Sequence, residues 1–151
     1  MHQFASGWKR SYYGKADVTV YRLRRPDNVF GASVTMLLYG DAFWPTYTTG
    51  DNTGLVATDS MKNFIQWETR NFEGPDLEQY CRFLAEKFLA TYPQTEGVQV
   101  EALEIPYEGQ VAFEPRGRER AMARVEITQK GAVESRSGIH GFRLLDRKSV
   151  V

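Results

Sequence analysis

Between Phe30 and Leu38 the apolar side chains of Phe30, Ala32, Val34, Met36 and Leu38 occupy every second position, alternating with Gly31, Ser33, Thr35 and Leu37 up to Tyr39. A helix would scatter such a set around its circumference. An extended strand gathers it on one side, because successive side chains point to opposite faces. The run therefore commits the chain to a β-sheet with one well-buried face. Residues 16–24 precede it and are rich in β-branched and aromatic types (Val18, Thr19, Val20, Tyr21), which suits a second strand. Pro26, Asp27 and Asn28 stand between the two as turn formers, so the pair reads as a hairpin.

A one-sided sheet needs a cover, and the next segment supplies helices. Met61, Phe64, Ile65 and Glu68 sit on helical spacing, and that run ends near Phe72 and Gly74. Leu77, Tyr80, Cys81, Leu84 and Phe88 follow an i, i+3, i+4 pattern over three turns, the strongest helix in the sequence. Pro75 suits its first position, with Asp76 and Glu78 at the positive end of its dipole. After a break from Thr95 to Gly97, Val98, Val100, Leu103 and Ile105 indicate another strand. Ala123, Val125 and Ile127 alternate with Arg124, Glu126 and Thr128, and a last strand is expected from Ile139 to Leu145. The order ββααββ implies an α+β fold, an antiparallel sheet with two helices on one face. At 151 residues, 1–151 is expected to be a single domain with a core of its own.

Composition narrows the function classes. Lys and Arg number 19, as do Asp and Glu, so the formal net charge is zero. A generic nucleic-acid or membrane-surface binder needs a basic excess, and neither partner is expected. The arginines at 116, 118, 120 and 124 are interleaved with Glu114, Glu119 and Glu126, the mark of a solvated strand and turn. Glu101, Glu104 and Glu108 fit a solvated face in the same way. Cys81 is the single cysteine, which rules out an intrachain disulfide and a cysteine metal cluster; it belongs on the buried face of its helix. His2 and His140 lack paired ligand spacing, so no metal site is expected. No dinucleotide fingerprint, P-loop or nucleophile elbow is present. With no apolar run near a membrane span and no signal-peptide core, the chain is expected to be soluble and cytoplasmic.

The stretch GDNTGLVATDSMKN, residues 50–63, carries the most chemistry. Thr58, Asp59 and Ser60 stand where the helical spacing begins. Their ordinary role is to cap the helix, with side-chain oxygens accepting the free N–H groups of the first turn. The rarer role is that the free N–H groups themselves cradle an anion.

Three segments carry a family resemblance: YYGKADVTVYRL (12–23), TYTTGDNTGLVATDSMKNFI (46–65) and VEALEIPYE (100–108). Together they resemble urate oxidase, the cofactor-free uricase family, whose YGK tripeptide opens the first strand and whose ATDSMKN-like motif opens the first long helix. The resemblance implies the tunnelling fold, a ββααββ unit present twice per subunit and assembled into a barrel. It covers nearly the whole chain but only the first of the two units. Residue by residue, it makes Lys15 the catalytic lysine and Thr58 the catalytic threonine. Asp59 follows Thr58, and the backbone amides of this pair would meet the purine. The implied reaction oxidises urate with O2 to 5-hydroxyisourate and H2O2, with no metal, nicotinamide, flavin or pterin. A lysine amine partly withdrawn from water would act as base through the threonine hydroxyl or a water.

The departures are specific. The family's stacking Phe, its clamping Arg and Gln, and its Asn and His near the oxygen site have no counterparts here. His140 falls too early for that histidine, and Phe142 is not in a convincing stacking position. In the family each site lies between subunits, so this chain would bring one half of each. Self-association, or a second chain carrying the C-terminal unit, is therefore expected. Thr53 in place of the usual Ser, and Gly54 after it, are expected to loosen the cradle slightly. The rival readings are another purine- or pterin-binding tunnelling-fold catalyst and a non-catalytic module that keeps the cradle.

Overall fold

The computed structural model describes residues 11–24, 28–105 and 119–141. The alternating run forms β2 (Asn28–Tyr39), and Ala32, Val34, Met36 and Leu38 are all fully buried on one face. To one side lies β1 (Tyr13–Arg24), and to the other β3 (Gly97–Glu104), followed by β4 (Arg120–Thr128) and β5 (Val133–His140). The sheet is antiparallel throughout, in the order β1-β2-β3-β4-β5. On β3 and β4 the buried positions are Val98, Val100 and Ala102, and Ala123, Val125 and Ile127, in register with the buried face of β2.

Two long helices cover that face, α2 (Thr58–Thr69) against β1 and α3 (Leu77–Thr91) against β3 and β4. Before them a 3-10 turn (Asp41–Phe43) leads into the short α1 (Trp44–Thr48), which is too brief to show a helical period in the sequence. Tyr80, Cys81, Leu84, Ala85 and Phe88 of α3 are fully buried. Cys81 lies among them as expected; its thiol points at the Ala123 carbonyl at 3.6 Å, and burial pushes its pKa up to about 12. A buried polar link joins the helices. The Tyr80 hydroxyl lies 2.7 Å from Thr69 Oγ1, which donates to the Ile65 carbonyl at 2.6 Å, so each hydroxyl has a partner.

Two details differ from expectation, and one lies outside the described residues. Asp76, not Pro75, organises the start of α3: its carboxylate accepts the Gln79 amide at 2.8 Å, and Pro75 stands just ahead of this cap. The last strand begins at Val133 rather than Ile139 and pairs with β4 as the fifth strand of the sheet, while Leu145 lies outside the described residues. Its residues are all exposed, so no apolar alternation announces it. The tight turn after β4 sets its place: Gly131 takes a positive φ of 87°, and the Ala132 amide donates to Thr128 Oγ1. The hairpin turn at Pro26 and Asp27 lies outside the described residues, although Arg24 pairs with Asn28 across it.

Phe88 packs edge-on to Phe64 at 5.2 Å and against Tyr92 at 4.6 Å, joining α3 to α2 within the core. Phe88→Ala is expected to cost about 3–5 kcal/mol of stability, read as a lower urea midpoint at unchanged slope.

Candidate active site

The first turn of α2 is not capped by its own side chains. Ala57 is the N-cap residue, in an extended conformation, and no side chain bonds to the cap. Thr58, Asp59 and Ser60 are already helical, too late in the turn to serve as N-cap. The capping role expected for them is thus not realised. The first intrahelical bond runs from the Met61 amide to the Ala57 carbonyl at 3.1 Å. The amides of Thr58, Asp59 and Ser60 therefore have no acceptor among the described residues, and all three residues are exposed.

The helix starts where it does because Val56 is pinned. The Tyr13 hydroxyl accepts the Val56 amide at 3.0 Å and lies 3.2 Å from the Val56 carbonyl, to which it donates. One phenol thus holds both backbone groups of a residue 43 positions away, and Val56 itself is buried. The Tyr13 ring meets Phe43 edge-on at 5.0 Å, so the 3-10 turn supports the same joint. Burial pushes the Tyr13 pKa up to about 12, against the smaller opposing effect of its bond to Val56. Sequence reasoning missed Tyr13. The available signal was its place beside Gly14 and Lys15, in the tripeptide that opens β1.

Lys15 follows two residues after Tyr13, and Thr58 two residues after Val56. The clasp therefore brings the strand end bearing Lys15 to the approach to α2. Lys15 pairs with Met36 and Tyr13 with Leu38. Directly opposed residues of an antiparallel pair share a face. Met36 and Leu38 are buried beneath the helices, so Lys15 and Tyr13 project toward the helix-bearing side. Lys15 is half-buried, and its amine forms no hydrogen bond or ion pair among the described residues. Gly14 between them permits close strand approach, since a Cβ there would lie 1.8 Å from the Met36 carbonyl oxygen.

Both departures, Thr53 and Gly54, make close contacts in the loop before α2. The Thr53 amide donates to Asp51 Oδ1 at 2.9 Å, and the Thr53 hydroxyl donates to the same oxygen. Those two bonds hold the Asp51 carboxyl below its usual range. Gly54 passes so close to Ala42 that a Cβ would stand 2.7 Å from its carbonyl oxygen. His140 is exposed at the end of β5, opposite Arg120, and Phe142 lies outside the described residues. No cluster of three potential metal ligands occurs among the described residues, and no described helix is long and apolar enough to cross a membrane.

An antiparallel sheet covered on one side by two helices, with an open helix start beside a clasped lysine strand, defines an α+β protein of the tunnelling-fold class. Solved structures agree. A uricase from Bacillus fastidious is similar at a TM-score of 0.77 and 32% identity, covering 87% of this chain and 52% of that one. A hyperthermostable mutant of Bacillus sp. TB-90 urate oxidase gives 0.78 and 27%, covering 95% and 62%. A family model described as Uricase matches residues 11–129. The chain is 34% identical over 148 residues to a uric acid degradation bifunctional protein of Bacillus subtilis, and 39% identical over 113 residues to a uricase of Haloferax volcanii. These alignments cover 87% and 64% of this chain. The chain belongs to the uricase family. It spans only 30% and 37% of the length of those two relatives.

The Tyr13 clasp has a measurable consequence. Because the fold holds the neutral phenol, its stabilising effect is complete below pH 10 and is lost as pH rises through about 12. Tyr13→Phe is expected to lower stability by about 1–3 kcal/mol at neutral pH, by leaving the Val56 backbone groups unpaired. It should also flatten the alkaline fall in stability between pH 10 and 12, measured by urea titrations across that range.

Proposed function

We propose that this chain is one tunnelling-fold half of a urate oxidase and, completed by a second unit, oxidises urate with O2 and water to 5-hydroxyisourate and H2O2. It would correspond to the N-terminal half of a two-unit subunit. The observation that carries the reading is the uncapped start of α2 at Thr58 and Asp59, held by the Tyr13 clasp beside a strand whose Lys15 faces the helices. Free amides at a helix start favour an anion, and urate is one at neutral pH. The Asp59 carboxylate would repel that ligand, so its amide is the group assigned to bind. Lys15 is assigned as the base that takes a proton from bound urate, directed through the Thr58 hydroxyl or a water, leaving an electron-rich ring to react with O2. The reaction as assigned uses no metal or organic cofactor.

Two clefts elsewhere do not compete with this assignment. One of about 210 Å3 lies on the open sheet face among Gln99, Arg124, Glu126, Glu134 and Arg136. The other, about 320 Å3, lies at the far end of α2 near Arg22, Gln66 and Arg70. A site shared between chains is open on each of them, so a closed pocket at Thr58 is not required. The open sheet face and the edge strands β1 and β5 support a partner: Tyr21 and Leu23 are exposed on the open face of β1, and Val133 and Ile139 on the helix-bearing side of β5. The partner we assign is a second copy or a chain carrying the C-terminal unit. Sedimentation at micromolar concentration should show a species larger than the monomer; a well-behaved monomer would count against it.

The functional test is urate absorbance and oxygen uptake by the purified protein with every copurifying chain, or with the second unit supplied. Lys15→Met should lower turnover far more than it weakens an unreactive urate analogue, because the amine acts on the proton in the transition state. Thr58→Ala should lower turnover by roughly a hundred- to ten-thousand-fold and weaken the analogue more than Lys15→Met does. The double variant should be little worse than the poorer single, since both serve one proton path. Clean multiplication of the two losses, or full turnover in Lys15→Met, would refute the relay.

A further inference from the structure

The side of the sheet on which Lys15 lies is not the one its strand would give it. On β1, Val18 and Val20 are buried beneath the helices, so even positions face inward there. Uninterrupted alternation would place Gly14 and Ala16 inward as well, and Tyr13 and Lys15 on the open face. The pairing shows otherwise: Lys15 opposes Met36 and Val18 opposes Val34, so both Ala16 and Asp17 stand against the single residue Thr35. One extra residue in the strand is a β-bulge, and it reverses the alternation beyond it. Tyr12 confirms the reversal. Its ring meets Tyr39 at 5.1 Å and its hydroxyl reaches Glu126, a residue on the open face next to inward-facing Val125 and Ile127.

Asp17 makes the bulge possible with its backbone. Its φ is 54°, the only positive value among the described residues other than glycine. Asp tolerates the left-handed region better than most side chains, and β-branched residues tolerate it poorly. The Asp17 side chain is exposed and has no hydrogen bond or ion pair among the described residues, so its contribution is conformational.

We infer that the Ala16–Asp17 bulge is the device that turns Lys15 onto the helix side of the sheet, with Asp17 and Tyr13 as positioning residues: Asp17 holds the reversal and the Tyr13 clasp fixes where the reversed strand end sits. The inference rests on the assignment of Lys15 as the base only for its catalytic consequence; the geometric part stands apart from it. A strand without the bulge would carry the same lysine to the face away from Thr58.

The test uses the full chain, with the second unit supplied for turnover, in four forms: the parent, Ala16 deleted, Asp17→Gly and Asp17→Val. Tyr13 reports the face without reference to catalysis, through its NMR cross-peaks to Phe43 and Val56 and through its phenol titration. In the deletion these cross-peaks should vanish and the titration should move from about 12 toward the ordinary 10. Turnover should fall as far as in Lys15→Met. Asp17→Gly should keep the cross-peaks and stay within about twofold of parental turnover, because glycine adopts the same backbone freely. Asp17→Val should lower kcat roughly ten- to a hundredfold with KM changed less than about threefold, the signature of a displaced base rather than a missing binding group. Tyr13 cross-peaks that survive the deletion would overturn the inference, whatever the turnover. If the Tyr13 ring instead leaves Phe43 and Val56 while turnover stays intact, the bulge's role stands and the assignment of Lys15 is refuted. Should the deletion fail to fold, the Asp17 pair decides: Tyr13 cross-peaks to Phe43 and Val56 equally strong in Asp17→Gly and Asp17→Val overturn the inference, and their weakening in Asp17→Val alone supports it.

Discussion

Two hydrogen bonds at one phenol hold together the end of this protein that carries Lys15 and Thr58. The Tyr13 hydroxyl binds both the amide and the carbonyl of Val56, joining the start of the first strand to the residue before the N-cap of α2. With Val56 pinned on both sides, Ala57, itself extended, becomes the cap, and the helix starts at Thr58 with its leading amides open. Had the chain entered one residue later, Thr58 would have been free to cap the helix itself. The clasp therefore decides whether the first turn satisfies its own donors or offers them to a ligand.

The rest of the molecule makes that joint firm. The buried faces of β3 and β4 lie under α3, and the Tyr80–Thr69 pair ties α3 to the far end of α2. α2 is thus held at its C-terminal end by the core and at its N-terminal end by the clasp. On the opposite side of the sheet the polar residues pair across strands: Arg124 donates through Nε and Nη2 to Glu101, directly opposite it, at 3.1 and 2.9 Å. Arg124 is thus ion-paired through β3 rather than through the interleaved glutamates, while Arg116, Arg118 and Glu114 lie outside the described residues.

Most of the fold was legible because burial leaves a period. The alternation of Ala32 to Leu38 and the helical spacing from Tyr80 to Phe88 each report a face pressed against something apolar. β5 was misplaced for the same reason in reverse: VESRSGIH has no buried face and hence no period. The family motif picked out Lys15, Thr58 and Asp59, and local pattern misjudged where α2 is capped. Thr, Asp and Ser at a helix start look like caps, and only a contact from 43 residues away shows that the cap is Ala57. The bulge was hidden because inserting one residue leaves no mark on composition. An aspartate amid strand-forming residues was the single clue, since Asp is depleted in strands and tolerates a positive φ.

The decisive observation is where an unreactive urate analogue sits in a crystal structure of this chain assembled with its complementary unit. The analogue should lie with an anionic edge within hydrogen-bonding distance of the Thr58 and Asp59 amides, with Lys15 on the same side of the sheet and within one hydroxyl or water of the ring. An analogue bound elsewhere, or at Thr58 with Lys15 directed to the open face, would contradict it.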